Sequence, residues 1–381
     1  MDFTYSDEQL LIQKTAREFS ERFIKPLAVE ADRDEKFHRE LYSKMGEAGL
    51  MGMTIPKEYG GSEVDKISYC MALEEVAKAC GSTALTMEAH NSLSMKHIFD
   101  KGTEEQRRKY IPKLACGVWL SAWALTEPNA GSDAAGTQTT AVLEGDQYII
   151  NGTKTFITTG HVADVVVVMA MTDKSKGTRG ISAFLVDAKT PGYTPGVEEK
   201  KLGMRGTITS ELIFEDCRIP RENLLGEEGF GFVGAMQILD GGRVAISALS
   251  LGLAQAAMDA AVAHVKERQQ FGKPLSSFQA IQWRIADMAT RVEAARLLVH
   301  RAAFLEEKGC VFSREASMAK LFSSEMATNI CRESIQVHGG YGYLREYLVE
   351  RMLRDAKLCE IGEGTSEVQR MLIARHMLGG R

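Results

Sequence analysis

The hydrophobic periodicity of the chain changes within one central stretch, Gln147-Tyr-Ile-Ile-Asn-Gly-Thr-Lys-Thr-Phe-Ile-Thr158. Its β-branched and aromatic residues, spaced by polar ones, are typical of half-buried strands. Asn151-Gly152 favours the positive φ angles of a tight two-residue turn, so the pattern predicts a hairpin with arms at 147–150 and 153–158. Further β-rich runs follow at 164–171, 181–186 and 210–214. Residues of about 121–227 are therefore predicted to form a β domain.

Helices are predicted on both sides of this region. Ser6-Asp-Glu-Gln9 has the S-x-x-Q form of a capping box, followed by apolar residues at helical spacing. The same spacing recurs before the β region at 65–79, 85–99 and 104–114, and after it at 244–268, 279–307, 314–336 and 366–378. The prediction is an α+β protein with an N-terminal helical domain (1–120), a middle β domain (121–229) and a C-terminal domain of the four-helix-bundle type (230–381).

Composition excludes several classes of function. The 381 residues are 44% hydrophobic and 25% charged with a net charge of −5, which does not suggest a nucleic-acid partner. The longest apolar run, Val165 to Met171, is too short to cross a bilayer. None of the seven cysteines stands at C-x-x-C spacing, so no metal or dithiol site is predicted. We expect a soluble protein of the cytoplasm, without membrane insertion.

One glycine motif is misleading. Gly229-Phe-Gly-Phe-Val-Gly234 matches the G-x-G-x-x-G pattern of dinucleotide-binding folds. That fold needs a buried strand before the glycines and an acidic residue about 20 positions later. Here residues 222–228 are polar and Ala254 stands near the expected acidic position. The glycines are interpreted as a flexible entry into a helix, which argues against an NAD-dependent dehydrogenase.

Four other segments carry groups suited to binding or catalysis. The loop Trp123 to Asp133 keeps hydroxyls and amides free, although its composition alone favours an ordinary turn. Phe156-Ile-Thr158 fits either a half-buried strand or a surface that covers a flat ring. Arg268 to Gly272 and Gln336 to Gly342 each follow a long predicted helix, where a glycine C-cap and an anion clamp are both consistent with the pattern.

The most unusual carboxylate is Glu363, which lies between Gly362 and Gly364 and is followed by Thr365 and Ser366. Two small neighbours let the backbone turn sharply and approach a ligand. The hydroxyl residues can cap the helix predicted to follow. By itself the pattern favours a plain acidic residue in front of a helix N-terminus.

Together these segments resemble the acyl-CoA dehydrogenases over essentially the whole chain. The motifs that carry the resemblance are LTEPNAGSD (125–133), FIT (156–158), KLGMRG (201–206), LDGGR (239–243), RQQFGKPL (268–275), QVHGGYG (336–342), and RDAK with IGEGTSE (354–367). The resemblance implies the same α, β, α order of domains and a homotetramer. It also implies tightly bound FAD, oxidation of an acyl-CoA thioester to the 2-enoyl-CoA, and an electron-transfer flavoprotein as the electron acceptor.

The resemblance further implies roles for individual residues. The loop from Trp123 would line the flavin, and Ser132, Asp240, Arg243 and Gly364 would contact the acyl-CoA. The FAD-binding residues implied are Trp123, Leu125, Thr126, Gly131, Ser132, Phe156, Thr158, Arg268, Phe271, Gln279, Gln336, Gly339, Gly340, Thr365 and Glu367. Of these, Arg268, Phe271, Gln279, Gln336, Gly339 and Gly340 would reach the FAD of a neighbouring subunit.

Glu363 is then the implied catalytic base. Burial beside an acyl chain would raise its pKa and strengthen it as a base. Some branched-chain members place the base directly before the arginine of the 239–243 motif, and here that position is Gly242. Many straight-chain members have tyrosine before the base, and here that position is Gly362. We expect a short acyl group, which is straight, branched or alicyclic. The alternatives are an acyl-CoA oxidase-like enzyme that uses O2 and a non-catalytic flavin-binding relative.

Overall fold

A computed structural model describes residues 4–379 of the chain. The N-terminal region is helical, as predicted, and Ser6 and Gln9 form the reciprocal capping box of the first helix. The helices of this region are α1 (Asp7–Phe19), α2 (Ala28–Arg33), α3 (Arg39–Glu47), α4 (Lys66–Ala79), α5 (Gly81–Glu88), α6 (Lys96–Lys101) and α7 (Glu104–Ala115).

The helix predicted over 85–99 is interrupted. Between α5 and α6 the backbone adopts a π-helical stretch, Ala89–Met95, whose residues are all buried. Wider turns of this kind change the direction in which the following side chains point. The interruption lies where the N-terminal helices meet the longest C-terminal helix.

The middle region forms one twisted sheet. Its strands are β1 (Ser121–Ala124), β2 (Thr140–Glu144), β3 (Gln147–Thr158), β4 (Val165–Met171), β5 (Ile181–Asp187), β6 (Tyr193–Glu198), β7 (Thr209–Pro220) and β8 (Leu224–Leu225). Their order is β6-β7-β3-β2-β4-β5-β8, with β1 parallel to β4. Every residue of β4 is buried because alternate side chains enter two different cores. One core is shared with α7 and the C-terminal region, and the other lies within the β domain.

The predicted hairpin at Asn151-Gly152 is wrong. Residues 147–158 are one continuous strand, and the turn of this region lies earlier, at Gly145 (φ 66°) between β2 and β3. Asn151-Gly152 instead marks a bulge where the register with β7 shifts. The Asn151 side chain exchanges hydrogen bonds with Asp216 on β7. Gly152 is required here because a Cβ would lie 2.5 Å from the Thr139 hydroxyl oxygen.

Helices return after the sheet and pack as a bundle. They are α8 (Gly231–Glu267), α9 (Gln279–Glu307), α10 (Ser313–His338), α11 (Val349–Cys359) and α12 (Ser366–Met377), with the two-residue strands β9 (Gln269–Gln270) and β10 (Lys273–Pro274) between α8 and α9. By length and composition α8 is apolar enough to cross a membrane, but 72% of its apolar window is buried inside the protein. It is the central helix of the bundle and packs against α4, α9 and α10.

The first helix of the bundle begins at Gly231, whereas the sequence predicted that it would begin at Val244. Its glycines serve packing: a Cβ at Gly231 would lie 2.4 Å from the Ser182 carbonyl carbon on β5. The Gly229 N–H donates to the Ser182 hydroxyl at 2.8 Å. These contacts fix the start of α8 on the sheet, so this entry is packed and not loose. The α+β prediction is confirmed, whereas the proposed boundaries at 120/121 and 229/230 stay predictions.

The bulge assignment predicts a difference between two glycines. Gly152→Ala should lower stability by about 2 kcal/mol, because the new methyl group overlaps Thr139 inside the sheet. Gly145→Ala, which has open space around its Cβ, should cost only about 1 kcal/mol for its left-handed backbone. The measurement is the midpoint of thermal unfolding for both variants. Equal midpoints would contradict the bulge assignment.

Candidate functional site

Glu363 lies in a sharp turn between α11 and α12. Its backbone is left-handed, with φ 56°, and Gly364 follows with φ 96°. A left-handed conformation costs a non-glycine residue roughly 1–2 kcal/mol, so it persists only where the surroundings enforce it. Thr365 then caps α12 by accepting a hydrogen bond from the Val368 N–H at 3.4 Å.

Three side chains from the bundle hold this turn by its carbonyl groups. The Lys320 ammonium on α10 donates to the Gly364 carbonyl at 2.8 Å. The Gln369 amide on α12 donates to the carbonyls of Gly364 (2.9 Å) and Glu363 (3.2 Å). The Arg243 guanidinium on α8 reaches the Glu363 carbonyl at 3.4 Å. These donors leave the Glu363 carboxyl group itself without a salt bridge among residues 4–379.

Arg243 is itself held by Asp240. Its Nη1 donates to Asp240 Oδ1 at 2.6 Å, and the Ser313 hydroxyl donates to the same oxygen at 2.9 Å. Arg243 is buried. The structure thus brings three predicted residues, Asp240, Arg243 and Gly364, into one network with Glu363.

Gly242 makes room for the Glu363 carboxyl group. A Cβ at Gly242 would lie 2.3 Å from Glu363 Oε2 and 2.7 Å from Leu93 Cδ2. The glycine therefore has a second effect beyond the absence of a carboxylate at position 242. It leaves a space on the surface of α8 that the carboxyl group of Glu363 occupies.

The electrostatic environment favours a protonated Glu363 more than water does. Burial raises the pKa of Glu363 to about 7, although hydrogen bonding with Glu88 and the charges of Lys320 and Arg243 oppose the rise. Burial also lowers the pKa of Lys320 to about 8. Neither Glu88 nor Lys320 was found from the sequence, because a single charged residue in a helical pattern carries no signal of where its side chain points.

A second cluster joins the loop after β1 to the end of β3. The Thr155 N–H donates to the Thr126 carbonyl at 2.9 Å. The buried Lys154 ammonium donates to the Leu125 carbonyl at 3.0 Å and to Glu127 at 2.7 Å. Glu127 also accepts the N–H groups of Gln138 and Thr139. This ion pair, which the sequence analysis missed, fixes the loop beside the strand.

The cluster presents an aromatic ring and free hydroxyl groups. Phe156 is 64% exposed and has a left-handed backbone, with φ 56°. The hydroxyls of Thr126 and Thr158 form no hydrogen bond with any residue from 4 to 379. Trp123 lies on β1 and donates to His97 at 3.0 Å, Leu125 is buried, and Gly131 and Ser132 are exposed in the loop. Such a surface fits a flat heteroaromatic ring with polar edges.

A third cluster lies at the other end of α8. Arg268, Gly339 and Gly340 line a cavity of about 370 Å³. The Arg268 guanidinium lies 5.3 Å from the centre of the Tyr341 ring. Phe271 is 91% exposed with φ 52°. Gln279, at the start of α9, and Gln336, three residues before Gly339, are also exposed. An arginine beside glycine backbone in an open cavity fits an anionic group.

The third cluster is far from Glu363 within one chain. At about 1.5 Å of rise per residue, Arg268 lies roughly 37 Å from Arg243 along α8. Thr365 and the exposed Glu367 lie next to Glu363, whereas Ser132 has no hydrogen bond or ion pair to the Glu363 network among residues 4–379. The predicted residues therefore form three surfaces on one chain.

Comparison with known proteins gives matches over nearly the whole length. Family models for acyl-CoA dehydrogenase match at 6–118 (N-terminal domain), 122–217 (middle domain) and 229–378 (C-terminal domain). The short-chain specific acyl-CoA dehydrogenase of Clostridium acetobutylicum is 49% identical, over 98% of this chain and 99% of its own.

Solved structures give the same result. Butyryl-CoA dehydrogenase from Megasphaera elsdenii is similar with a TM-score of 0.98 and 45% identity, over 99% of this chain and 100% of its own. A chain in the structure of the electron transferring flavoprotein of Acidaminococcus fermentans also gives a TM-score of 0.98, with 49% identity over 99% of this chain and 100% of its own.

The close packing of Gly242 against Glu363 predicts an energetic coupling. Alanine is favoured over glycine inside a helix by about 1 kcal/mol, but at 242 the methyl group overlaps Glu363 Oε2. Gly242→Ala should therefore be less stable than Gly241→Ala by about 1–2 kcal/mol, since the latter meets only the flexible end of Glu306.

The measurement is a double-variant cycle of Gly242→Ala and Glu363→Ala by thermal unfolding. Part of the loss should be recovered when the carboxyl group is removed. Strictly additive effects would show that the two residues do not compete for the same space.

Proposed function

This chain belongs to the acyl-CoA dehydrogenase family, and on that premise we propose that Glu363 is the base that removes the α-proton of the acyl-CoA substrate. The enzyme is FAD-dependent. The observation that carries the proposal is the carboxyl group of Glu363. It is desolvated, its pKa is raised to about 7, and three donors hold its backbone turn in place. A base of this strength is suited to a weak carbon acid at neutral pH.

The chemistry assigned to this chain is positioning and proton transfer. Glu363 takes the α-proton onto its carboxylate. The Glu363 N–H has no partner among residues 4–379, so it is free to donate to the thioester oxygen as negative charge develops there. FAD supplies the acceptor for the hydride that leaves the β-carbon. The apolar side chains around Glu363, including Leu93 and Ile246, exclude water from the reacting carbons.

Within one chain, the residues proposed to hold FAD come from the cluster that joins β1 to β3 and from the turn at Glu363. Thr126 and Thr158 would donate to the isoalloxazine edge, Phe156 would pack against its face, and Trp123 would line it together with Leu125, Gly131 and Ser132. Thr365 and Glu367 would lie toward the pyrophosphate or adenosine part. The free hydroxyls, the exposed Phe156 ring and the left-handed backbone of Phe156 support this assignment.

The remaining FAD contacts are proposed to come from a second copy of the chain. Arg268, Phe271, Gln279, Gln336, Gly339 and Gly340 lie at the far end of α8. Arg268 lies roughly 37 Å along α8 from Arg243, which contacts the turn at Glu363, so these residues are far from Thr365 and Glu367 of the same chain. The exposed Phe271 ring and the open cavity at Arg268 are what such an arrangement needs. We therefore propose a homo-oligomer of the homotetramer type.

The proposed acyl-CoA contacts are Ser132, Asp240, Arg243 and Gly364. The guanidinium of Arg243 is already bonded to Asp240 and to the Glu363 carbonyl. Its main role in this proposal is thus to hold the turn, and Asp240 offers the more accessible polar group toward the CoA part.

A short acyl group fits the residues beyond Glu363. The Tyr69 and Ser92 hydroxyls bond each other at 2.8 Å and border a polar cavity of about 40 Å³. The cavity also contains the Lys66–Glu306 ion pair at 2.7 Å. A long apolar chain extending there would meet this half-buried ion pair and desolvate it further, which is unfavourable. Straight, branched and alicyclic short acyl groups remain the proposed substrates.

The proposed electron acceptor is an electron-transfer flavoprotein, and the proposed location is the bacterial cytoplasm. Support comes from the similarity to a chain in an electron transferring flavoprotein structure and to a clostridial dehydrogenase. Mixing the reduced enzyme with air distinguishes the oxidase-like alternative, because an oxidase would reoxidise at once.

The test of function is bleaching of the flavin absorbance. The purified enzyme is mixed anaerobically with butyryl, hexanoyl, octanoyl, isobutyryl, isovaleryl, 2-methylbutyryl, glutaryl and cyclohexanecarbonyl-CoA. A short thioester should bleach it rapidly, and Glu363→Gln should slow bleaching by about 10²–10⁴-fold because the base is lost. The matched control is Glu360→Gln, since Glu360 bonds Lys357 outside the turn. Rapid bleaching in Glu363→Gln would refute the assignment of the base.

Gly362 is predicted to determine tolerance for bulk near the α- and β-carbons. A Cβ there would make ordinary contacts with Ile246 and the Leu358 carbonyl, both at 3.6 Å, so Gly362→Ala should be nearly neutral. Gly362→Tyr should reduce bleaching by branched and alicyclic thioesters much more than by butyryl-CoA. The ratio of the two rates is the measurement. Full activity of Gly362→Tyr on bulky substrates would contradict the prediction.

A further inference from the structure

Glu88 is a buried carboxyl group with no role in the chemistry described so far. It is the last residue of α5 and directly precedes the π-helical stretch Ala89–Met95. Its exposure is 1%, and no donor among the described residues bonds either carboxylate oxygen when the group is ionised. Burying an ionised carboxylate without a partner is very unfavourable, so the group needs either a cation or a proton.

The Glu88 carboxyl lies within hydrogen-bonding reach of Glu363, whose Oε2 is also buried and receives no hydrogen bond from any other described residue. Two ionised carboxylates cannot bond each other, because each only accepts. A hydrogen bond between them therefore requires that one of them holds a proton. The wider π-helical turn after Glu88 is a distortion that recurs at functional sites.

No neighbouring group supplies enough positive charge for both carboxylates to ionise. From α10 Lys320 bonds the Gly364 carbonyl, and from α8 Arg243 bonds Asp240 and the Glu363 carbonyl. Within residues 4–379 neither cation forms a salt bridge to Glu88 or Glu363. The other titratable groups facing the pair are the Tyr69 phenol on α4 and the Cys359 thiol on α11, and burial raises the pKa of each.

We propose that Glu88 is a positioning residue that keeps one proton and donates it as a hydrogen bond to the Glu363 carboxylate, so that the pair carries a single negative charge. The inference rests on the proposed function, in which Glu363 is the base. The pKa directions agree with it: burial and Glu363 raise the pKa of Glu88 well above its ordinary range, and the bond from Glu88 lowers that of Glu363. Glu88 would thereby set the pH above which the base is ionised.

Two substitutions separate donation of a hydrogen bond from mere packing. Glu88→Gln keeps a donor for Glu363, whereas Glu88→Leu fills similar space without one. The measurement is the pH dependence of anaerobic flavin bleaching with the most active thioester. The wild-type rate should rise with pH through about 7, as Glu363 loses its proton.

The acid limb is the rise of the bleaching rate at low pH. In Glu88→Leu its midpoint should move upward by about one to two pH units, which corresponds to loss of a hydrogen bond to a charged group. Glu88→Gln should stay near the wild type. The control is Glu74→Gln, the same change at a buried glutamate bonded to Arg296 at 2.6 Å, which should not move the limb.

A second readout does not depend on activity. The infrared difference spectrum of wild-type minus Glu88→Gln holoenzyme, without substrate at neutral pH, should contain the carbonyl stretch of a protonated carboxylic acid. An unmoved limb in Glu88→Leu, or the lack of this band, would overturn the inference. A shift to lower pH in both variants would also overturn it, since Glu88 would then be ionised and repelling Glu363.

A wild-type enzyme that no thioester bleaches would overturn the proposed function, and the infrared band alone would then decide the state of Glu88.

Discussion

The left-handed turn at Glu363 and Gly364 is the constraint on which the rest of the site depends. A turn of this shape is unfavourable for glutamate in isolation, and here Lys320, Arg243 and Gln369 hold it through backbone carbonyl groups. Because the cations bind the backbone, they do not neutralise the carboxylate by direct pairing. The same interactions thus fix the position of Glu363 and leave its carboxyl group basic.

The proposed flavin surface is built on the same pattern. The buried Lys154 ammonium holds the loop after β1 through the Leu125 carbonyl, and Glu127 completes its coordination. In both places a buried lysine donates to a backbone carbonyl group of an irregular segment and holds it in position. The side chains proposed to bind ligands are not used for this purpose and stay free. The sheet and the bundle are rigid supports, and several of the residues that would touch ligands, including Thr126, Ser132 and Glu363, lie in the short segments between their elements.

The sequence predicted the order of helical and β regions because the hydrophobic period changes clearly at both junctions. It predicted Thr365 as one of two possible caps, and the S-x-x-Q capping box was confirmed. The Asn151-Gly152 hairpin failed because a bulge inside a strand and a tight turn both favour glycine, and here only Gly152 of the pair has a positive φ. The start of α8 was missed because its glycines indicate a loop unless their packing is known, with Gly231 against Ser182 on β5 and Gly234 beside His97 on α6. Glu88 and Lys320 could not be found because their importance lies in the direction of their side chains, which helical periodicity does not specify.

The glycine on α8 also bears on how such a site can evolve. A side chain at position 242 and the carboxyl group of Glu363 would occupy the same space, only 2.3 Å apart at the first carbon. A lineage could not add an acidic residue on the helix first and discard the one in the turn later, since the intermediate would be overcrowded. Moving the proton acceptor between the two positions would need both substitutions together, or passage through a variant with neither. The location of the proposed base is thus expected to change only rarely between branches of such proteins.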